Sequence, residues 1–235
     1  MEVIKINNLV KRFPMGKGYF TALNKINLSF EKGEFAGFVG PSGSGKTTLL
    51  NIIGSLDTPS DGSVIVMGKS VSDLTYKQSA RLRNKHIGFI FQTYNLLPVY
   101  TVFENVEFSL LLQNISASER KKAVMEALEW LDIADKAKSK PNMLSGGECQ
   151  RVAIARAMVK KPEIILADEP TANLDSENSH RILQTMKKLN EELKVSFLFA
   201  THDEKVMKYL DRIIALVDGR VASDEKNISK LEIKV

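Results

Sequence analysis

The chain has 235 residues, a formal charge of +5 and a sequence pI near 9.1; 43% of its residues are hydrophobic, 26% charged and only 7% aromatic. That is enough apolar material for one large domain or two small ones, with a core resting mainly on Leu, Ile, Val and Ala. A single cysteine, Cys149, excludes an internal disulfide framework and a cysteine-built metal site, and the short basic clusters at 81–83, 121–122 and 160–161 lack the interleaved aromatics of a nucleic-acid surface.

Residues 1–6 do not lead a basic segment into an apolar run, so no signal peptide is expected. Val3 to Val10 alternates loosely, and Asn27 to Phe30 carries Leu28 and Phe30 on one face. With Met15-Gly16-Lys17-Gly18 between them, the start reads as antiparallel strands. Glu34 to Gly40 is a short apolar run that ends in glycine and serine, and Lys46 to Ile53 continues as a helix. Ser63 to Met67 and Ile87 to Phe91 read as two further strands. The uncharged run from Ile87 to Phe103 contains Gln92, Asn95 and Pro98, which suits a buried strand and a loop better than a membrane span.

A helical middle follows. Ser116 and Glu119 form a capping box, and behind it Ala123, Val124, Ala127, Leu128 and Leu131 recur at helical spacing, with Trp130 beside them as a packing residue. From Glu163 the pattern becomes α/β: a strand at Ile164 to Ala167, a helix at Glu177 to Leu193, and strands at Val195 to Ala200 and Arg212 to Val217. Buried runs alternating with helices predict a mostly parallel sheet covered on both faces. The expected organisation is one domain, with a core over about 1–92 and 161–222, an inserted helical part at about 93–160 and a polar, mobile tail at 223–235.

Gly40-Pro41-Ser42-Gly43-Ser44-Gly45-Lys46-Thr47 matches G-x-x-x-x-G-K-[ST]. Its glycines let successive amides turn toward phosphate oxygens, and the helix behind adds its positive N-terminal end. Lys46 is expected to reach the β- and γ-phosphates, and Thr47 to offer its hydroxyl to magnesium. The plain alternative is a Gly/Ser turn before a helix; the buried strand before it and the helix after it favour the phosphate loop. Asp168 closes the strand 164–167, where it would serve as a second metal anchor, and Glu169 would take a proton from an attacking water. On their own these two read equally well as a helix-capping acidic pair. His202, in Thr201-His202-Asp203 after a second buried strand, would approach the γ-phosphate, although a lone histidine there also reads as structural. His86 and His180 lack such settings and are assigned to surface or packing.

Leu144-Ser145-Gly146-Gly147-Glu148, followed by Arg151-Val152-Ala153-Ile154-Ala155-Arg156-Ala157, resembles the signature motif of ATP-binding-cassette ATPases. The resemblance runs from Met1 to about Arg220 and implies a P-loop NTPase core with an antiparallel β subdomain and an inserted helical subdomain. It implies that Phe13 stacks on adenine and that residues 40–47, with Thr48, hold the phosphates. Gln92 would touch magnesium and sense the transmembrane partner. Asp168 becomes the metal anchor, Glu169 the general base, His202 the switch histidine, and Asn173-Leu174-Asp175 the loop that meets the opposite protomer. Ser145, Gly146 and Gly147 would bind the γ-phosphate held by that protomer, so that hydrolysis takes two chains closing on two ATPs.

Three positions depart from the family pattern: Glu148 stands for the commoner Gln, Cys149 for a polar or basic residue, and Phe13 for Tyr. The stretch from Phe89 to Pro98, Thr101, Glu104-Asn105-Val106 and the connector before Ala22-Leu23 resemble the lipoprotein-release, macrolide-export and cell-division group. The resemblance therefore implies an ATPase using ATP and magnesium, dimeric with a second copy. It would sit peripherally on the cytoplasmic face of the cell membrane, and a separate integral membrane permease would dock around Tyr94 to Asn114. Export is the implied direction, and no nucleic-acid partner is expected. A mechanotransmission or cell-division motor without cargo is the first alternative. A soluble nucleic-acid-associated ATPase is the second, disfavoured by the single cassette and the lack of a heptad run.

Overall fold

Two long strands, β1 (Glu2–Met15) and β2 (Gly18–Glu31), form an antiparallel hairpin that turns at Gly16-Lys17. The structure is a computed structural model that describes residues 1–226. In chain order follow β3 (Phe35–Val39), α1 (Lys46–Ile53), β4 (Asp61–Val66), β5 (Lys69–Ser70), α2 (Tyr76–His86) and β6 (Ile87–Ile90). The helical middle holds α3 (Val102–Glu107), α4 (Ala117–Trp130) and α5 (Gly146–Met158). The chain then returns to the core with β7 (Ile164–Asp168), α6 (Ser176–Leu193), β8 (Ser196–Thr201), α7 (Glu204–Met207), β9 (Arg212–Val217) and β10 (Arg220–Lys226).

The strands make two sheets. A four-stranded antiparallel sheet has the order β2-β1-β4-β5, and a six-stranded sheet has the order β10-β9-β3-β8-β7-β6. In the larger sheet all neighbours are parallel except the edge pair β9–β10. Alternation along its strands sends side chains to opposite faces. Phe35, Ile165, Ala167, Phe197 and Phe199 share a core with α5 and α6, whereas Ala36, Phe38, Ile164, Leu166, Leu198 and Ala200 face α1 and the antiparallel sheet. Burial on both sides explains why these strands read as unbroken apolar runs.

The helical middle has no core of its own. Val102, Val106, Val124, Ala127 and Leu128 belong to the same cluster as Phe35 and Ile165, so α3 and α4 are packed onto the main sheet through α5. The box at Ser116 and Glu119 is formed as expected, and three more recur at Thr75/Gln78, Thr101/Glu104 and Ser145/Glu148. Trp130 packs against the core edge, with the Lys161 ammonium 5.4 Å above its ring.

The polar tail expected from residue 223 is corrected at its start. Residues 223–226 continue β10, which pairs with β9, and Arg212 grips Asp224 through two bonds of 2.7 Å. This bidentate clamp holds an otherwise exposed edge strand. The rest of that segment lies outside the described residues.

One buried polar side chain shapes the loop between β6 and α3. Asn105 is 1% exposed; its Oδ1 accepts from Leu97 N at 2.8 Å, and its Nδ2 donates to the carbonyls of Leu97, Tyr100 and Thr101 at 3.1, 3.2 and 2.9 Å. Truncation would strand those backbone groups away from water. Asn105→Ala is expected to lower the unfolding free energy by about 2–3 kcal/mol, read from urea denaturation; an unchanged midpoint would contradict this role.

Candidate functional site

The loop after β3 is fixed by close backbone approach. Gly40 has φ 145°, and a Cβ there would fall 2.1 Å from Leu216 O. A larger residue would have to displace β9. The loop is also tied to both sheets, because Asn24 N donates to Gly219 O at 2.8 Å and Gly219 N donates to Ser44 O at 3.2 Å. Pro41, Ser42 and Gly43 are exposed at its tip.

Gly45 caps α1 in the left-handed region, with no side-chain cap and no acidic residue in the first turn. The free amides and positive end of α1 are thus left to an external anion. Lys46 is 8% exposed and folds back across the loop, donating to Gly40 O at 2.7 Å and Pro41 O at 2.9 Å. The Ser44 hydroxyl is buried without a partner. An ammonium that meets only carbonyls, an unsatisfied hydroxyl and a bare helix start suit a polyanion such as a triphosphate.

Asp168 and Glu169 stand at the end of β7, beside that loop. Thr47 Oγ1 donates to Asp168 Oδ1 at 3.1 Å. Burial raises the Asp168 carboxyl above its usual range against the Thr47 hydrogen bond; the Glu169 charge adds to the rise and Lys46 opposes it. Two oxygens side by side, one on a carboxylate short of positive charge, suit magnesium, which takes few protein ligands and keeps waters and phosphates as the rest.

Glu169 leaves the sheet with φ 45°, anchored by its N–H to Ala200 O at 2.9 Å. Its carboxylate accepts from Thr201 Oγ1 at 3.1 Å and shares a 2.5 Å bond with His202 Nδ1. An ionised carboxylate only accepts, which places the ring proton on Nδ1. The Glu169 side chain is 16% exposed and that of His202 64%, so the acid is sheltered while the imidazole faces outward. Asp203 N donates to Thr201 Oγ1 at 3.0 Å, which steadies the turn.

A second cluster forms around the start of α5. Ser145 Oγ accepts from Glu148 N at 3.3 Å, and Ser145 N donates to Glu148 Oε2 at 2.7 Å. Glu148 thus completes a capping box, a task that Gln performs equally. A Cβ on Gly147 would lie 2.6 Å from Asn178 Oδ1, so α6 passes too close for a side chain. Asp175 fixes Asn178 in turn, accepting its N–H at 2.8 Å and its Nδ2 at 2.6 Å. Asn173 Nδ2 donates to Gln92 O at 2.8 Å, and Arg156 holds the carbonyls of Tyr94 and Asn95 at 2.6 and 2.5 Å.

The structure therefore brings Lys46, Thr47, Asp168, Glu169 and His202 together, and separately joins Gly147 to Asp175 through Asn178. Among the described residues no hydrogen bond or ion pair links Ser145, Gly146, Gly147 or Asp175 to the 40–47 loop. Gln92 is engaged through its backbone, and Thr48 follows in the first turn of α1. Phe13 pairs with Phe20 in the hairpin, 38% exposed, with the Lys11 ammonium 4.9 Å over its ring. Asn178, Thr201 and Arg156 are supporting residues that the sequence reading did not single out. Only Asn178 had a signal there, the three-residue spacing from an N-cap aspartate.

Residues 23–172 match the family described as ABC transporter. The chain is 45% identical over 228 residues to the uncharacterized ABC transporter ATP-binding protein MJ0796 of Methanocaldococcus jannaschii, covering 95% of this chain and 97% of that one. It is 43% identical over 222 residues to the lipoprotein-releasing system ATP-binding protein LolD of Bacteroides thetaiotaomicron, covering 94% of this chain and all of that one. It is 41% identical over 225 residues to the macrolide export ATP-binding/permease protein MacB of Burkholderia pseudomallei, covering 96% of this chain and 34% of that protein. A solved dimer of the MJ0796 cassette superposes with TM-score 0.88 at 45% identity, covering 95% of this chain and 98% of that one. A post-hydrolysis MJ0796 dimer bound to ADP and Pi gives 0.87 at 44% identity, over the same shares.

Cys149, next to Glu148, is 9% exposed and its Sγ lies 3.7 Å from Pro141 O. Burial pushes the thiol up, and the Glu148 charge adds to it, so the reactive thiolate is suppressed. Cys149→Ser is expected to keep the ATP hydrolysis rate within about threefold, measured by phosphate release; a loss of tenfold or more would give the thiol a working role.

Proposed function

The chain belongs to the ABC transporter family and is an ATPase cassette that uses ATP and magnesium, and from that premise we propose that it is the motor subunit of a membrane transporter. It works as a head-to-tail dimer and drives a separate integral membrane permease. The observation that carries this reading is the division of the site. One cluster offers a phosphate cradle, a metal anchor and a base; the other offers the capped start of α5 at Ser145, Gly146 and Gly147, which among the described residues makes no hydrogen bond to the 40–47 loop of its own chain. Two chains closing face to face would bring each cluster to the other's counterpart.

In this reading Lys46 and the amides of Gly40, Ser42, Gly43, Ser44, Gly45 and Thr47 hold the phosphates, with Pro41, which has no N–H, shaping the turn and Thr48 behind them. Phe13 gives the adenine a ring to stack on. Thr47, Asp168 and Gln92 hold magnesium, which when bound screens the phosphate charge. Glu169 accepts the proton of the attacking water, and Thr201 keeps its carboxylate aimed. His202 binds the carboxylate at rest and turns to the γ-phosphate when nucleotide is present. Ser145, Gly146 and Gly147 donate to the nucleotide held by the partner copy, and Asp175 carries that contact into α6.

The likeness to a lipoprotein-releasing ATP-binding protein and to a macrolide export protein supports a membrane partner and the export direction. No described helix is long and apolar enough to cross a membrane. The chain then sits peripherally on the cytoplasmic face, with the segment from Tyr94 to Asn114 against the permease. Tyr100, Phe108, Leu111 and Leu112 leave that segment apolar and exposed.

The test is a pull-down of the tagged chain from detergent-solubilised native membranes. An integral membrane protein recovered in stoichiometric amount is the expected result. Ribosomes or nucleic acid in place of any membrane protein would overturn the reading.

A further inference from the structure

Arg156, in the last turn of α5, and Lys160, in the turn just past the end of that helix, face a common cavity. Its volume is about 270 Å³, and its other walls include Phe89, Phe91, Asn95 and Ser109. The cavity lies between the edge strand β6 and the turn that follows α3. Its apolar wall is the stacked pair of Phe89 and Phe91, with ring centroids 5.7 Å apart and planes 2° from parallel.

The polar side of this cavity is positive and uncompensated. Lys160 Nζ donates to Arg83 O at 2.8 Å, and Arg156 donates to the carbonyls of Tyr94 and Asn95. Arg83 itself donates to Ser55 O at 2.6 Å. Among the described residues none of these three cations forms an ion pair, whereas Lys11, Arg120, Lys187 and Arg212 each meet a carboxylate. Burial, with the Arg83 charge added, pushes the Lys160 ammonium down to about 8. Capping the last turn of α2 explains one of the three Lys160 donors and leaves the clustering of like charges unexplained.

We propose that this cavity receives a carboxylate from an acidic side chain of the membrane partner, flanked on that partner by apolar residues. The inference rests on the permease reading above and names the chemistry the permease must present. Charge complementarity supplies the acid. The sequence neighbours of the lining residue Ser109 supply the apolar requirement, because Phe108, Leu111 and Leu112 are 51, 52 and 86% exposed. A free anion would satisfy the cations but leave those side chains in water. In a cavity walled by two phenyl rings the ion pair gains strength over one in bulk solvent.

The test treats the tagged chain in native membranes with a water-soluble carbodiimide, which joins an amine directly to a carboxylate in contact with it. Mass spectrometry is expected to find Lys160 joined to an Asp or Glu of the co-purified membrane protein. Lys160→Met should lose that link and lower the recovered partner by at least about tenfold. Lys160→Arg, which keeps the charge, should retain the partner, and this separates lost charge from lost fold. Full recovery with Lys160→Met, or links from Lys160 only within its own chain while the partner is present, would overturn the inference and leave the permease reading standing. Recovery of no membrane protein by the unaltered chain would overturn both.

Discussion

The backbone between Val39 and Lys46 is the constraint on which the rest of the site depends. Gly40 cannot carry a side chain because Leu216 O occupies the space, and Ser44 is bound through Gly219 to the β2 backbone. The loop is thus gripped by both sheets before any ligand arrives. That grip sets where α1 begins, which turns Lys46 inward and puts Thr47 against Asp168. Sheet order does the remainder. Because β3 lies between β9 and β8, with β7 next, the carboxyl ends of three neighbouring parallel strands deliver the loop, His202, and the Asp168-Glu169 pair to one edge. Ligands of open α/β sheets gather at that edge for this reason.

The opposite cluster is built by different means. Its frame is a set of side chains that cap backbone: Ser145 with Glu148, Asp175 with Asn178, and Arg156 on the carbonyls of Tyr94 and Asn95. With Asn173 Nδ2 on Gln92 O and the close approach of Gly147 to Asn178, these bonds tie the signature helix, the segment after β6 and the loop before α6 into one unit. A shift of the partner-facing segment would therefore move the start of α5 and Asp175 together. If the proposed permease docks on that segment, this would give a physical route from it to the proposed dimer face, carried by packed and hydrogen-bonded groups.

Much of this was legible in the sequence because the signals are local. The strand before Gly40, the start of α1 at Lys46 and the box at Ser116 and Glu119 each depend on a few adjacent residues. What escaped lacked an apolar pattern. Helix α2 buries only Leu82, so its charged sequence read as a basic cluster, and its capping box at Thr75 and Gln78 went unremarked. Strand β10 alternates between half-exposed and exposed positions and is held by the Arg212–Asp224 clamp, which no local rule announces. Asn105 and Arg156 were hidden for a related reason, since their partners are backbone carbonyls that any sequence possesses.

The central claim is that neither cluster works alone and that two chains must close over nucleotide. Sedimentation velocity of Glu169→Gln, which keeps the cradle but lacks the base, tests this most directly. With ATP and magnesium the account predicts a stable dimer that returns to monomer when either is withheld. A variant that binds ATP and magnesium yet sediments only as a monomer would contradict it.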